Sequence, residues 1–149
     1  MKKQILIIGI MTFTGMVMFT GCGGGSLKDG TYSAESSMYE SLEDGEDEGG
    51  EGYGAVTITV KDNKVTACEF TTYMPDGTPK DEEYGKKNGE IANQDYYNKA
   101  QRAVKASQNY AEQLAAKGDL KEVDAITGAT ISYNEFNEAV ELALKQAKG

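Results

Sequence analysis

Histidine and tryptophan are both absent from this 149-residue chain, and proline and cysteine occur only twice each. Without histidine, imidazole acid–base catalysis is excluded, and so is most zinc or haem ligation. Without tryptophan, the nine tyrosines supply most of the large aromatic surface. Basic residues are outnumbered, 15 Lys and Arg against 24 Asp and Glu, for a formal charge of −9. That sign argues against nucleic acid, or an anionic lipid surface, as a docking partner. The length leaves room for one small domain behind an apolar leader. Helix and strand signals both occur, so the fold class reads as α+β: a small antiparallel β-sheet with two packed α-helices.

Residues 1–21 have the organisation of a signal peptide. Lys2 and Lys3 give the positive start, Ile5 to Phe19 the apolar run, and Phe19-Thr20-Gly21 leads into Cys22. A spanning helix, for which about 17–25 apolar residues suffice, is the other reading of such a run. The run stops, however, at a cysteine followed by Gly23-Gly24-Gly25-Ser26, a flexible tether. This arrangement resembles the bacterial lipoprotein signal, with Phe19 where leucine is usual. The resemblance implies lipidation of Cys22 and a lipidated tether over 22–28. An uncleaved anchor is the alternative, and both readings leave residues 26–149 outside the membrane. Cleavage also removes Lys2 and Lys3, which takes the charge two units further negative. With Cys22 lipidated, Cys68 is the one remaining thiol and no intramolecular disulfide can form. Cys68 sits among strand-like residues, where a buried thiol behaves as a small hydrophobe.

The domain is expected over 29–149. Asp29-Gly30 is a turn signal before a short strand, Thr31 to Ala34. An acidic loop, 40–52, carries Glu43, Asp44, Glu46, Asp47 and Glu48 among glycines and has no apolar period; its spacing does not fit an EF-hand. Val56, Ile58 and Val60 alternate with threonines, the period of a half-buried strand. Lys61-Asp62-Asn63-Lys64 then turns the chain into a second strand, Val65 to Tyr73, with Cys68 and Phe70 on one face. Pro75-Asp76-Gly77-Thr78-Pro79 ends it. A helix is predicted over Gln94 to Lys117, with Tyr96, Ala100, Ala103, Val104, Ser107, Tyr110, Ala111 and Leu114 as its packing face and Gly118 as its stop. In a final helix, Ser132 and Glu135 are read as a capping box. Tyr133, Phe136, Val140, Ala143, Leu144 and Ala147 form its apolar face.

Asp124-Ala125-Ile126-Thr127-Gly128-Ala129-Thr130 precedes that helix. Gly128 and Ala129 have almost no side chain, so the backbone can turn tightly and a bulky ligand can come close. Placed just before the helix, Thr130 lies where a phosphate would meet free amides and the positive end of the dipole. The heptapeptide resembles the flavinylation motif, Asp-x-x-(Ser/Thr)-Gly-Ala-Thr, of the FMN-binding domain family. That family includes flavoprotein subunits of the Na⁺-translocating NADH:quinone oxidoreductase and of the Rnf complex, and flavinylated bacterial lipoproteins. The Asp29-Gly30-Thr31-Tyr32 start, the Val56 to Phe70 hairpin and the Asp76 to Lys86 segment are similar to it as well.

The resemblance implies that a flavin transferase attaches FMN to Thr130 through a phosphoester. Gly128 and Ala129 would leave room for it, and Asp124 would orient the loop or serve transferase recognition. Thr127 would donate a nearby hydrogen bond or play a turn role. Tyr84, Tyr96 and Tyr97 are candidates to stack on the flavin ring. The implied protein is a lipid-anchored electron carrier on the extracytoplasmic face of the cell membrane, without substrate turnover of its own. It would pass electrons from a membrane quinone dehydrogenase or other flavoprotein donor to an extracellular acceptor. The alternative is a surface lipoprotein that binds a partner or small solute without redox activity.

Overall fold

The computed structural model describes residues 26–40 and 50–149. The leader, Cys22 and most of the acidic loop lie outside them. No helix among the described residues is long and apolar enough to cross a membrane.

Three antiparallel strands make one sheet in the order β1 (Gly30–Glu35), β2 (Tyr53–Lys61) and β3 (Lys64–Tyr73). The β2–β3 turn is as tight as its sequence suggests, because Asp62 (φ 51°) and Asn63 (φ 64°) both take the left-handed conformation that a two-residue hairpin needs. On one face, Val56, Ile58, Val60 and Phe70 point into the core. On the other, the Ser33 and Thr57 hydroxyls share a hydrogen bond of 2.8 Å across the strands, so that face stays in water.

Two helices cover the apolar face. α1 (Gln94–Lys117) packs along β3, and α2 (Thr130–Lys148) lies across β1 and β2. α1 spans the residues its period marks. Asn93 caps its start by accepting the Tyr96 amide, and Gly118 (φ 78°) stops it by donating to the Leu114 carbonyl. Its packing face departs from expectation at two positions. Tyr96, in the first turn of the helix, is 53% exposed, whereas Ala106 is buried in the core cluster. On α2, Phe136, Ala139, Val140, Ala143 and Ala147 are fully buried, with Tyr133 and Leu144 partly so. Phe136 sits edge-on to Phe70 (5.1 Å) and stacks on Tyr110 (5.6 Å), tying sheet and both helices together.

The start of α2 corrects the sequence reading. The helix begins at Thr130, not after Ser132, and Ser132 and Glu135 form no capping box. Both are buried, at 2% and 1% exposure, because they fall on the side of the first two turns that faces the sheet. The residue at the cap position is Ala129, which has no side chain to cap with.

Cys68 is half-buried against the core, and burial, with Glu69 adding to it, pushes its thiol up to about 12. A thiol held so far from its thiolate form behaves as the small hydrophobe its strand position suggests.

Candidate functional site

One face of α1 holds the segment that leads into α2. Tyr110, Gln113 and Lys117 lie three and four residues apart and so point the same way. The Tyr110 hydroxyl accepts the Ile126 amide (3.0 Å) and donates to the Ala129 carbonyl (3.4 Å). Gln113 clasps the Asp124 backbone, accepting its amide (2.9 Å) and donating to its carbonyl (3.3 Å). Lys117 donates to the Glu122 carbonyl and pairs with the Asp124 carboxylate at 3.1 Å. These contacts join sites 5 to 19 residues apart in sequence.

Within that frame, Ile126 to Ala129 makes a turn closed by the Ala129 amide on the Ile126 carbonyl (3.1 Å). Gly128 takes φ 83°, a conformation that side chains oppose, which explains a glycine there. Ala129 is buried, and Thr127, Gly128 and Thr130 are exposed. The motif's small residues therefore divide: Gly128 permits the turn, and Ala129 seats it on the core.

Thr130 is the first residue of α2, with its hydroxyl at the helix N-terminus. The amides of Thr130, Ile131 and Ser132 have no intrahelical acceptor, and no side chain caps them. The uncapped end of a 19-residue helix, with its positive partial charge, presents donors suited to an anion. Asp124 takes no part in that cradle. Its side chain is 86% exposed and turned to Lys117, so it orients the loop rather than facing the helix end.

The three candidate aromatics fall elsewhere. Tyr96 is exposed and Tyr97 half-buried at the start of α1, where the Tyr97 hydroxyl donates to the Glu82 carbonyl (3.1 Å). Tyr84 is half-buried beneath Lys80, whose ammonium lies 5.3 Å from its ring centre. Sequence reasoning missed Tyr110 as a site residue, since its helical period marks it equally as core. It is core: fully buried, with burial raising its hydroxyl above the usual tyrosine range. It also missed Glu135. That carboxyl is pushed up to about 7 by burial, with the Lys80 ammonium pulling the other way.

Tyr110→Phe keeps the ring and removes the bridge. The Ile126 amide then lacks its acceptor, and the variant should lose ~1–3 kcal/mol, the usual cost of stranding a buried polar group. Urea unfolding measures it; an unchanged midpoint would show that the bridge is idle.

Sequence comparison matches the model of the FMN-binding domain family to residues 49–145, more than half of the chain. No curated protein matches. Among solved structures, the CPE2226 protein from Clostridium perfringens superposes with a TM-score of 0.52 at 23% identity, over 81% of this chain and 88% of that one. At that identity the likeness is one of fold.

Proposed function

From the premise that this chain belongs to the FMN-binding domain family, we propose that it is an extracytoplasmic electron carrier holding FMN covalently through a phosphoester on Thr130. Flavin binding follows from the family, which fits a redox carrier better than a catalytic enzyme. The attachment rests on one observation: the last threonine of the motif opens α2 with an exposed hydroxyl beside amides that nothing caps. A phosphate esterified there keeps negative oxygens against the helix end, where the dipole favours them.

The residues present fit the group. Thr130 would supply the ester oxygen, the first-turn amides would hold the phosphate, and Gly128 offers no side chain to obstruct it. Bound flavin supplies one- and two-electron transfer, and the protein's share is to hold and orient it. Tyr110 and Gln113 fix the loop so that the hydroxyl is presented before any cofactor arrives. Asp124, paired with Lys117 on the surface, offers a charged mark for a flavin transferase without repelling the phosphate.

Covalent attachment suits a protein outside the cell, where a dissociable cofactor is lost by dilution. Lipidation of Cys22 and the glycine tether would hold the domain, 29–149, near a membrane donor such as a quinone dehydrogenase or another flavoprotein. Stable anchoring takes more than one acyl chain, as a bacterial lipoprotein carries.

Intact-mass spectrometry of the chain co-expressed with a flavin transferase tests the reading. The expected gain is one FMN, absent without the transferase. An unmodified mass under both conditions would leave a surface lipoprotein that binds a partner or solute without redox chemistry.

A further inference from the structure

Away from Thr130, three alternate glycines line one side of the approach to β2 and its first turn of strand. Each is where a side chain would collide with a polar or aromatic neighbour. A Cβ at Gly50 would lie 2.6 Å from the Tyr84 hydroxyl; one at Gly52 would strike the Tyr73 backbone carbonyl first and lie 3.0 Å from the Lys80 ammonium. At Gly54 it would meet the Phe70 ring at 2.5 Å and Cβ of Glu135 at 3.2 Å. Gly52 answers to the Tyr73 backbone, while Gly50 and Gly54 leave the backbone bare where Glu135, Lys80 and Tyr84 come together from α2 and the connector 74–93.

Glu135 is 1% exposed, and neither carboxylate oxygen has a hydrogen-bond partner among the described residues. Lys80 is 5% exposed. Two acceptor atoms buried without donors oppose folding unless a ligand uses them. Packing does not require a glutamate here, since an apolar side chain would fill the same place beside Phe70. The pattern is acceptors beside a cation, over an aromatic face. Its complement is a flat ring whose edge carries one N–H between two carbonyls, the edge of a cyclic imide. The isoalloxazine ring has such an edge at the end farthest from its phosphate chain.

We propose that Glu135, Lys80 and Tyr84 form a second subsite that takes the imide edge of the flavin ring, the carboxylate accepting its N–H and the ammonium donating to a flanking carbonyl. The proposal rests on the reading of Thr130 as the phosphate end. Thr130 and Glu135 both belong to α2, five positions apart, about 7.5 Å along the axis. A ribityl phosphate carrying a three-ring system spans that distance. The connector roofs the cluster with turns and single bridges rather than strand or helix, tied at Lys80 N–H to the Thr72 carbonyl (2.8 Å). Gln101 also holds it, donating to the Asp81 (3.0 Å) and Tyr84 (2.9 Å) carbonyls, as does Tyr97 at the Glu82 carbonyl, so admitting a ring breaks these side-chain bonds from α1 but no helix or strand ladder.

The test uses full-length apo-protein titrated with riboflavin, which lacks the phosphate, and with 3-methylriboflavin, in which the imide N–H is blocked. Flavin fluorescence reports binding. Riboflavin should bind, and the methyl group should weaken it about tenfold or more, as expected where a polar site loses its partner. Glu135→Leu should weaken riboflavin by a similar factor and treat the two flavins alike. Glu135→Gln, which keeps an acceptor carbonyl and the side-chain volume, should fall between and serves if the leucine variant melts early. Equal affinities of the two flavins for the wild type, no riboflavin binding, or discrimination that survives in folded Glu135→Leu would each overturn the subsite. Intact mass separates this from the parent reading: FMN gained at Thr130 with no imide discrimination sinks the subsite alone.

Discussion

Thr130→Ala should abolish covalent FMN while leaving the fold as it was. Three hydroxyls lie near the start of α2, and the structure ranks them. Ser132 is 2% exposed and faces the sheet, so a transferase cannot reach it without unfolding the first turn. Thr127 is exposed but sits on the turn, three residues short of the helix. Thr130 alone combines exposure with the first helical position. Its side chain makes no hydrogen bond among the described residues, and alanine is a good helix former. Stability should therefore change by no more than ~0.5 kcal/mol, as at other surface positions. Thr130→Ser, which keeps the hydroxyl, should retain some label. Intact mass and a thermal melt decide it. Label kept in Thr130→Ala but lost in Thr127→Ala would move the ester to the turn.

Between pH 5 and pH 8, Glu135 should set much of the difference in stability between the wild type and Glu135→Gln. Burial raises the carboxyl from 4.5 to about 7, and the Lys80 ammonium only partly offsets this. Tyr84, also facing it, is pushed above the ordinary tyrosine range, with burial the main cause and Glu135 a small one. A carboxyl raised on folding binds more protons in the folded chain than in the unfolded one, so its effect on stability falls as pH rises. The group is neutral and harmless to the fold below 4.5. It opposes the fold progressively up to and beyond 7, by roughly 3 kcal/mol at 1.36 kcal/mol per unit. Glutamine does not titrate, so the wild type should lose about that much relative to the variant as pH climbs. Other groups titrate alike in both proteins and cancel. Urea unfolding at the two pH values measures it; a constant difference would mean that Glu135 has donors in the folded protein.

The same residue shows where reading the sequence went astray. Ser132 and Glu135 stand at capping-box spacing ahead of an apolar run, and local chemistry favours a helix start there. The tertiary structure overrides it. Tyr110 holds the Ala129 carbonyl, and Gly128 ends the preceding turn one residue before that carbonyl accepts the Tyr133 amide (3.0 Å). The helix therefore opens at Thr130, which turns Ser132 and Glu135 inward. The motif is better placed for an anion as a result, because the amides a capping side chain would occupy stay free.

Elements whose evidence is local could be read without coordinates. The hairpin's period of two, the left-handed Asp62 and Asn63, the 24-residue span of α1 and its Gly118 stop each follow from neighbours along the chain. So does the heptapeptide, whose residue types carry the family resemblance by themselves. Long-range contact was needed for the rest. Nothing near Tyr110 in sequence says that its hydroxyl bridges residues 16 and 19 positions away. Nor do Gly50 and Gly54 announce that they clear space beside Tyr84 and Glu135. The sequence determined that this chain pairs a half-buried sheet with two amphipathic helices and carries a threonine on a small-residue turn. Packing decided which side chains hold that turn and which carboxyl is stranded in the core, because burial depends on what folds over a residue and not on the residues beside it.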